Sequence, residues 1–302
     1  MKQLHSICWA IAALSLLISC DSESEKTNSA PAAESKVFVS NYPLAYFARR
    51  LSADPGQIYF PKISGDPAFW QPTAEDISIV QQCNPLILNG ATYEKWLNTV
   101  TVPRRRIVDT SASFQDQWIN IENEVTHQHG PKGPHSHNGI VFTTWIDLSL
   151  AARQAQSLAG ALDPTANPDW AHHLKSLISD LDGLDTKLKK LTNNKPQLQL
   201  VASHPIYQYF ARAYNLDIQA VLWEPDVYPD EEQWQALEKI LTTHPAQWMI
   251  WEGPPLEKSV QRLKKMGLGS VVFEPCANQP GSGDFLSVMQ QNIKNLRPVF
   301  VP

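Results

Sequence analysis

The sequence predicts an α/β protein built from two four-stranded parallel-sheet lobes, which resemble Rossmann-type domains and are joined by one long helix. Short β-rich runs alternate with helical patterns, and this alternation occurs once in each half of the chain body. Strand–helix alternation is typical of parallel sheets that are covered by helices on both faces. From Lys36 the body has about 270 residues, which is enough for two compact lobes of ordinary size.

The N-terminal end predicts an export signal with a lipid attachment site. Lys2 precedes an apolar stretch over 7–18, which is too short for a membrane-spanning helix of about 20 residues. The sequence Leu17-Ile-Ser-Cys20 resembles the bacterial lipobox. We therefore expect a lipoprotein signal at 1–19 and lipidation of Cys20; an ordinary cleaved signal is the alternative.

Residues 20–36 carry no large apolar side chain and are expected to form a disordered tether. Asp21, next to the lipidated position, resembles an inner-membrane retention signal. The expected location is therefore the periplasmic face of the inner membrane, reached through the lipid anchor. The formal charge of −5 provides no basic surface for nucleic acid.

The first lobe is predicted over 37–165 and the second over 195–302. First-lobe strands are expected at 37–40, 57–60, 86–88 and 106–108, with helices at 43–52, 73–82 and 92–98. Second-lobe strands are expected at 198–202, 218–222, 247–251 and 270–273, with helices at 206–214, 230–243, 255–266 and 284–296.

A connecting helix is predicted over 166–194, between the two lobes. Asn167 can cap it, Pro168 suits its first position, and leucines then recur at spacings of three and four. Such a rigid connector predicts lobes that move little relative to each other. His172 and His173 are adjacent on this helix, so they point in different directions and are expected at the surface.

Four of the nine histidines lie in the tract 127–137, which is predicted to be a Gly/Pro-rich loop of the first lobe. Imidazole is the commonest metal-binding side chain, and an H-x-H pair can direct both rings at one ion. A disordered metal-scavenging segment and a plain polar surface loop are the alternatives. The body also contains Cys83 and Cys276, which we expect to be separate buried thiols, a disulfide being the alternative.

Five segments of the body carry distinctive residues in a fixed order. They are Gly65-Asp-Pro-Ala-Phe-Trp-Gln-Pro-Thr73, Asn89-Gly-Ala-Thr-Tyr-Glu-Lys-Trp-Leu97, Trp145-Ile-Asp147, His204-Pro-Ile-Tyr-Gln-Tyr-Phe210 and Phe273-Glu-Pro275. With the two lobes, the long helix and the lipobox, they resemble the cluster A-I solute-binding proteins of zinc and manganese ABC transporters. The resemblance covers essentially the whole mature body.

The resemblance implies a metal site between the lobes, formed by three histidines and a late carboxylate. Only His204 and Glu274 match ligand positions of that family, because Ala68 and Thr143 stand where the other two histidines belong. Neither a methyl group nor a neutral hydroxyl replaces imidazole on zinc. We therefore hypothesise a site of His204, Glu274 and His137, completed by His135 or His129; a dangling loop and a defunct site are the alternatives.

Three further residues are candidates for positions beside the metal ligands. Glu224 and Glu252 each follow a tryptophan at the end of a predicted strand, and ligands gather beyond the carboxyl ends of such strands. Trp145 is a candidate for the cleft wall, ordinary core packing being the alternative. Asp66 and Asp147 are expected to cap turns.

The resemblance implies a monomeric extracytoplasmic receptor that captures Zn²⁺ and delivers it to an inner-membrane ABC permease. Nitrogen and carboxylate donors favour zinc over manganese, which prefers more oxygen ligands. A metal-buffering or adhesin-like lipoprotein that keeps the fold is the alternative function. No enzymatic activity is expected, because H-E-x-x-H and a nucleophile elbow are absent from the sequence.

Overall fold

The first parallel sheet confirms the four-stranded sheet predicted for the first half of the body. In the computed structural model, residues 36–128, 134–162 and 164–301 are described. The sheet contains strands β1 (Val37–Val39), β2 (Ile58–Tyr59), β3 (Leu86–Leu88) and β4 (Ile107–Asp109) in the order β2-β1-β3-β4. Every residue of β1 and β3 is buried, as expected for central strands that are covered on both faces.

The second parallel sheet confirms the four-stranded sheet predicted for the second half of the body. Its strands are β7 (Gln199–Ala202), β8 (Asp217–Ala220), β9 (Trp248–Trp251) and β10 (Gly269–Val272), in the order β10-β9-β7-β8. Strand β7 therefore lies between β9 and β8, whereas β10 is an edge strand beyond β9. This order determines which strand ends are neighbours, and it cannot be read from the sequence.

The helices of the two lobes lie close to their predicted positions, except for one first-lobe helix that the sequence did not predict. In the first lobe they are α1 (Tyr42–Leu51), α2 (Ala74–Gln82) and α3 (Leu148–Ala159). In the second they are α5 (Gln208–Ala213), α6 (Glu231–Thr243), α7 (Glu257–Lys265) and α8 (Phe285–Phe300).

The connecting helix α4 (Trp170–Thr192) has 23 residues and is the longest helix among those described. It packs against α1 and α3 of the first lobe and against α8 of the second. A buried leucine stripe makes these contacts, at Leu177, Leu181, Leu184, Leu188 and Leu191. The helix begins later than predicted, because Asn167 lies in the turn before it, where its Oδ1 accepts a hydrogen bond from the Asp169 amide. His172 is exposed, as predicted, whereas His173 is only partly exposed.

Two first-lobe elements differ from the sequence prediction. Helix α3 was not predicted; Asp147 caps it by accepting hydrogen bonds from the amides of Ser149 and Leu150. The helix predicted at 92–98 is wrong, because only a short 3₁₀ turn, Lys95–Asn98, forms there. Ala91 and Thr92 have φ values of 48° and 63°, and this left-handed backbone prevents an α-helix from beginning earlier.

The histidine tract lies partly on an antiparallel hairpin rather than wholly in a loop, so the loop prediction is wrong for the described part. Strands β5 (Asn120–Gln128) and β6 (Pro134–Ile140) pair, with His127 opposite His135 and Val125 opposite His137. A two-stranded ribbon is held together by main-chain hydrogen bonds, which do not require apolar side chains. A polar ribbon of this kind therefore shows no alternating hydrophobic pattern in the sequence. His129 lies outside the described residues.

The remaining expectations concern cysteines and membrane segments. Cys83 and Cys276 are both buried and both free, which confirms separate thiols. Across the described residues, no helix combines the length and the apolar character that a membrane crossing requires. The predicted signal, Cys20 and nearly all of the predicted tether lie outside the described residues.

Candidate metal centre

Three second-lobe side chains meet because they follow three neighbouring parallel strands. His204 lies just beyond the end of β7, Glu224 follows β8 and Glu252 follows β9 directly. Since the carboxyl ends of parallel strands lie at the same edge of a sheet, the strand order β9-β7-β8 brings these residues together around His204.

Main-chain hydrogen bonds hold the three strand ends in register. The Ser203 amide donates to the Ile250 carbonyl at 2.8 Å, and the Trp223 amide donates to the Ser203 carbonyl at 2.8 Å. The indoles of Trp223 and Trp251 are buried in the lobe core, where Trp223 packs on Trp234 with ring centroids 4.5 Å apart. These anchored tryptophans fix the start of the loops that carry Glu224 and Glu252.

The donor atoms of this cluster have a spacing suited to a metal ion. His204 Nδ1 lies 3.5 Å from Glu252 Oε1 and 4.0 Å from Glu224 Oε1. One ligand atom from each of the three residues lies within 4.8 Å of the others. Donors of a tetrahedral zinc ion at about 2.0–2.1 Å are about 3.3 Å apart, so small side-chain movements would close the site around an ion.

Burial places the cluster at the base of a cleft. The His204 side chain is 4% exposed, whereas Glu224 and Glu252 retain 32% and 26% exposure. Desolvation, with a smaller contribution from the charge of Asp66, raises the pKa of Glu252 to about 8. The ion-free site therefore favours the protonated form of a carboxyl group that a bound cation would ionise.

Glu274 is separated from this cluster by the strand order. It follows β10, the edge strand, and its amide donates to Asn292 Oδ1 at 2.9 Å while its carbonyl accepts from Asn292 Nδ2 at 2.8 Å. Among the described residues, Glu274 does not belong to the group whose donor atoms lie together. Burial also raises its pKa. Its role as a metal ligand stays a prediction.

The two first-lobe positions that lack histidine have other structural roles. Ala68 is buried in a 3₁₀ turn that Asp66 caps by accepting from the Ala68 amide at 2.8 Å, which confirms the capping role of Asp66. Thr143 is buried, and its hydroxyl donates to the Ile206 carbonyl of the second lobe at 2.6 Å. Thr143 thus links the lobes, and its hydroxyl is already engaged.

Further hydrogen bonds join the lobes beside the cluster. Trp145 Nε1 donates to the Pro275 carbonyl at 2.8 Å, so this tryptophan both lines the cleft and links the lobes. Asn278 Nδ2 donates to the carbonyls of Ile63 and Gly65, each at 2.8 Å. These contacts hold the walls of the cleft at a fixed separation.

A buried polar network positions the first-lobe wall. Asn89 Nδ2 donates to the Phe142 carbonyl at 2.9 Å, and Asn89 Oδ1 accepts from Asn41 at 3.2 Å and from Gln154 at 3.1 Å. Gly90 has φ 78°, and a Cβ there would meet Asp109 Oδ1 at 1.8 Å, so the backbone approach requires glycine.

The cleft between the lobes has a volume of about 1170 Å³. Its wall includes His204, Glu224 and Glu252 from the second lobe and aromatic residues from the first. The first-lobe contributors that bear on its chemistry are Asp66, Phe69, Trp70, Lys95, Trp96 and Phe142.

The hairpin joins the cleft wall at its base. The Val141 amide donates to the Ile119 carbonyl at 2.8 Å, and β6 ends at Ile140, shortly before Phe142 of the wall. The side chains of His135 and His137 lie outside the described part of the structure. Their participation, and that of His129, stays a prediction.

Sequence reasoning placed Glu224 and Glu252 only beside the metal site, whereas the structure brings both against His204. The signal was the repeated Trp-Glu pair after two strands. Its significance depends on the strand order, because β8 and β9 flank β7.

Known proteins share this architecture. The zinc-binding protein AdcA of Streptococcus pyogenes serotype M3 is 21% identical over 287 residues, covering 87% of this chain and 55% of AdcA, so the chain spans about half the length of that relative. The high-affinity zinc uptake system protein ZnuA of Bacillus subtilis (strain 168) is 21% identical over 313 residues, covering 96% of this chain and 95% of that protein. The crystal structure of Zn(II)-bound AdcA from Streptococcus pneumoniae matches with a TM-score of 0.70 and 17% sequence identity, covering 88% of this chain and 58% of that one.

The sequence model of one family, described as "ZnuA: Zinc-uptake complex component A periplasmic", matches residues 25–299. The match covers both sheets, the connecting helix and the His204 cluster. The chain belongs to this ZnuA family.

Proposed function

We propose that the protein captures Zn²⁺ between its lobes outside the cytoplasm and delivers the ion to an ABC importer. The observation that carries this proposal is that the donor atoms of His204, Glu224 and Glu252 lie close together at the base of the cleft. An imidazole and two carboxylates form a donor set that suits zinc, and manganese would prefer more oxygen ligands. The family and the zinc-binding relatives support the same ion.

His204, Glu224 and Glu252 provide three protein donors, and the fourth zinc position remains open. A hairpin imidazole from His137, His135 or His129 fills it when the ion arrives alone. The base of the hairpin continues into the cleft wall, which supports this assignment. Glu274 is the alternative carboxylate, and ligation by Glu274 in place of both Glu224 and Glu252 would correspond to the arrangement that the family resemblance implies.

Delivery involves no bond breaking. Zinc displaces protons from its ligands, so affinity falls as pH falls, and docking on the permease separates the donors. The protein acts as a monomer that is tethered through lipidated Cys20 to the periplasmic face of the inner membrane. Labelling with a radioactive fatty acid tests the anchor: label on the native chain and none on Cys20→Ala is the expected result.

Titration of the purified protein with Zn²⁺ and with Mn²⁺ in a calorimeter tests the ion. One zinc per chain, with manganese much weaker, is the expected result. Zinc uptake by cells that lack the gene and by cells that carry it tests delivery. Equal uptake by both strains, together with tight zinc binding, would favour the metal-buffering alternative.

A further inference from the structure

The cleft is much larger than a zinc ion requires. Three or four protein donors at about 2 Å enclose a zinc ion and leave no need for additional space. The cleft volume of about 1170 Å³ is instead comparable to the largest pockets that hold small organic molecules, which are roughly 300–1,000 Å³.

The first-lobe wall has the composition of an organic-ligand pocket. Phe69, Trp70, Phe142 and Trp145 line it. Trp70 is held in place by Trp96, with ring centroids 5.6 Å apart in an edge-to-face arrangement. Apolar and aromatic walls with a few convergent polar groups are typical of small-molecule sites, and a free ion gains nothing from them.

A lysine in the cleft is unfavourable for a free cation but favourable for an anion. The Lys95 ammonium lies 4.4 Å from the Phe69 ring centroid and 5.6 Å from that of Phe142. Burial lowers its pKa, and the negative charge of Asp66 opposes this shift. The charge of Asp66 also contributes to the raised pKa of Glu252. The Asp66 carboxylate therefore lies within electrostatic range of both Lys95 and Glu252.

The first lobe supplies no imidazole at the two positions where the family resemblance implies one. Ala68 and Thr143 contribute no imidazole, and the Thr143 hydroxyl already donates to Ile206. A small molecule with an imidazole or amine at one end and a carboxylate at the other would supply both a zinc donor and an anionic group for Lys95. Its nitrogen would complete the zinc coordination, and its carboxylate would pair with Lys95.

We propose that the cleft also accepts zinc as a chelate with a small histidine-like amino acid, whose imidazole and amine nitrogens bind the open side of the ion and whose carboxylate binds Lys95. The inference rests on the proposed zinc site and specifies its substrate class. Free zinc and the chelate use the same three protein donors, and the fourth donor comes from the hairpin in one case and from the small molecule in the other.

Native mass spectrometry of the full mature protein with zinc, with and without L-histidine, tests the proposal. The expected spectrum contains a species with the added mass of one zinc and one histidine, which is absent when either is omitted. Calorimetry with zinc–histidine as the titrant then gives the affinity of the chelate.

Two variants separate the two modes. Lys95→Met should lower the affinity for the chelate about tenfold, the usual effect of removing a charge-assisted hydrogen bond, and should not lower the affinity for free zinc, since a positive charge leaves the cleft. The exposed Lys62→Met is the matched control and should change neither. The double variant His135→Ala/His137→Ala should have a lower affinity for free zinc. Added L-histidine should restore zinc binding to this variant through formation of the ternary complex of protein, zinc and histidine.

Outcomes against the inference are distinct from outcomes against the zinc site. If L-histidine only lowers the apparent zinc affinity, by sequestering the ion, and the ternary mass never forms, the chelate proposal is overturned while the zinc site stands. If His204→Ala leaves the affinity for free zinc unchanged, the zinc site itself is wrong.

Discussion

His204 Nδ1 lies 3.5 Å from Oε1 of Glu252, across two neighbouring parallel strands. This contact brings a nearly fully buried imidazole against a carboxyl group whose pKa is raised to about 8. A divalent cation between them would replace the hydration that both groups have given up. The pair is therefore the centre of the proposed site.

Removing the imidazole should nearly abolish zinc binding. Loss of groups that merely support metal ligands costs about 10–100-fold in affinity, so we expect His204→Ala to weaken binding by more than about 100-fold. His172→Ala changes an exposed histidine of α4 and is the matched control. Calorimetric titration of both variants provides the comparison, and equal affinities would exclude the interlobe site.

Neutralising the carboxylates should identify which of them bind the ion. Glu224→Gln and Glu252→Gln keep the side-chain size but remove the charge, so each should weaken zinc binding at least about tenfold. Glu274→Gln should have a smaller effect, because Glu274 follows the edge strand β10. A large loss of zinc affinity in Glu274→Gln, with no loss in Glu224→Gln or Glu252→Gln, would favour the ligand set implied by the resemblance.

Zinc binding should release a proton from Glu252. With a pKa of about 8 this carboxyl group is mostly protonated at pH 7, whereas the zinc-bound form requires the carboxylate. Affinity should therefore fall as pH decreases below about 8. Calorimetry in buffers of different ionisation enthalpy measures the released protons. The number should decrease in Glu252→Gln, and an unchanged number would show that another group releases them.

Truncating Asn89 should destabilise the first-lobe wall. Its buried amide joins Asn41, Gln154 and the Phe142 carbonyl, and its loss leaves several of these groups without a partner. We expect Asn89→Ala to reduce the free energy of unfolding by about 3 kcal/mol. Denaturant unfolding measures the change, with the exposed Asn98→Ala as control. A change equal to that of the control would contradict the positioning role.

The fold was predictable from the sequence because each buried strand is a short apolar run and the connecting helix carries a leucine stripe. The motif around His204 predicts that this residue binds metal, and its place in the cleft wall is consistent with that prediction. The pairing of His204 with Glu224 and Glu252 was not, because it depends on the spatial order of β8, β7 and β9 rather than on their order in the chain. The β5–β6 hairpin was also missed, since main-chain pairing leaves no apolar pattern.

Anomalous diffraction at the zinc absorption edge, from a crystal soaked in zinc, tests the central claim most directly. The account predicts one strong peak between the lobes, about 2.0–2.2 Å from a His204 ring nitrogen and from one oxygen each of Glu224 and Glu252. A peak ligated by Glu274 without either of those carboxylates, or a zinc ion held by the hairpin alone and away from His204, would contradict it.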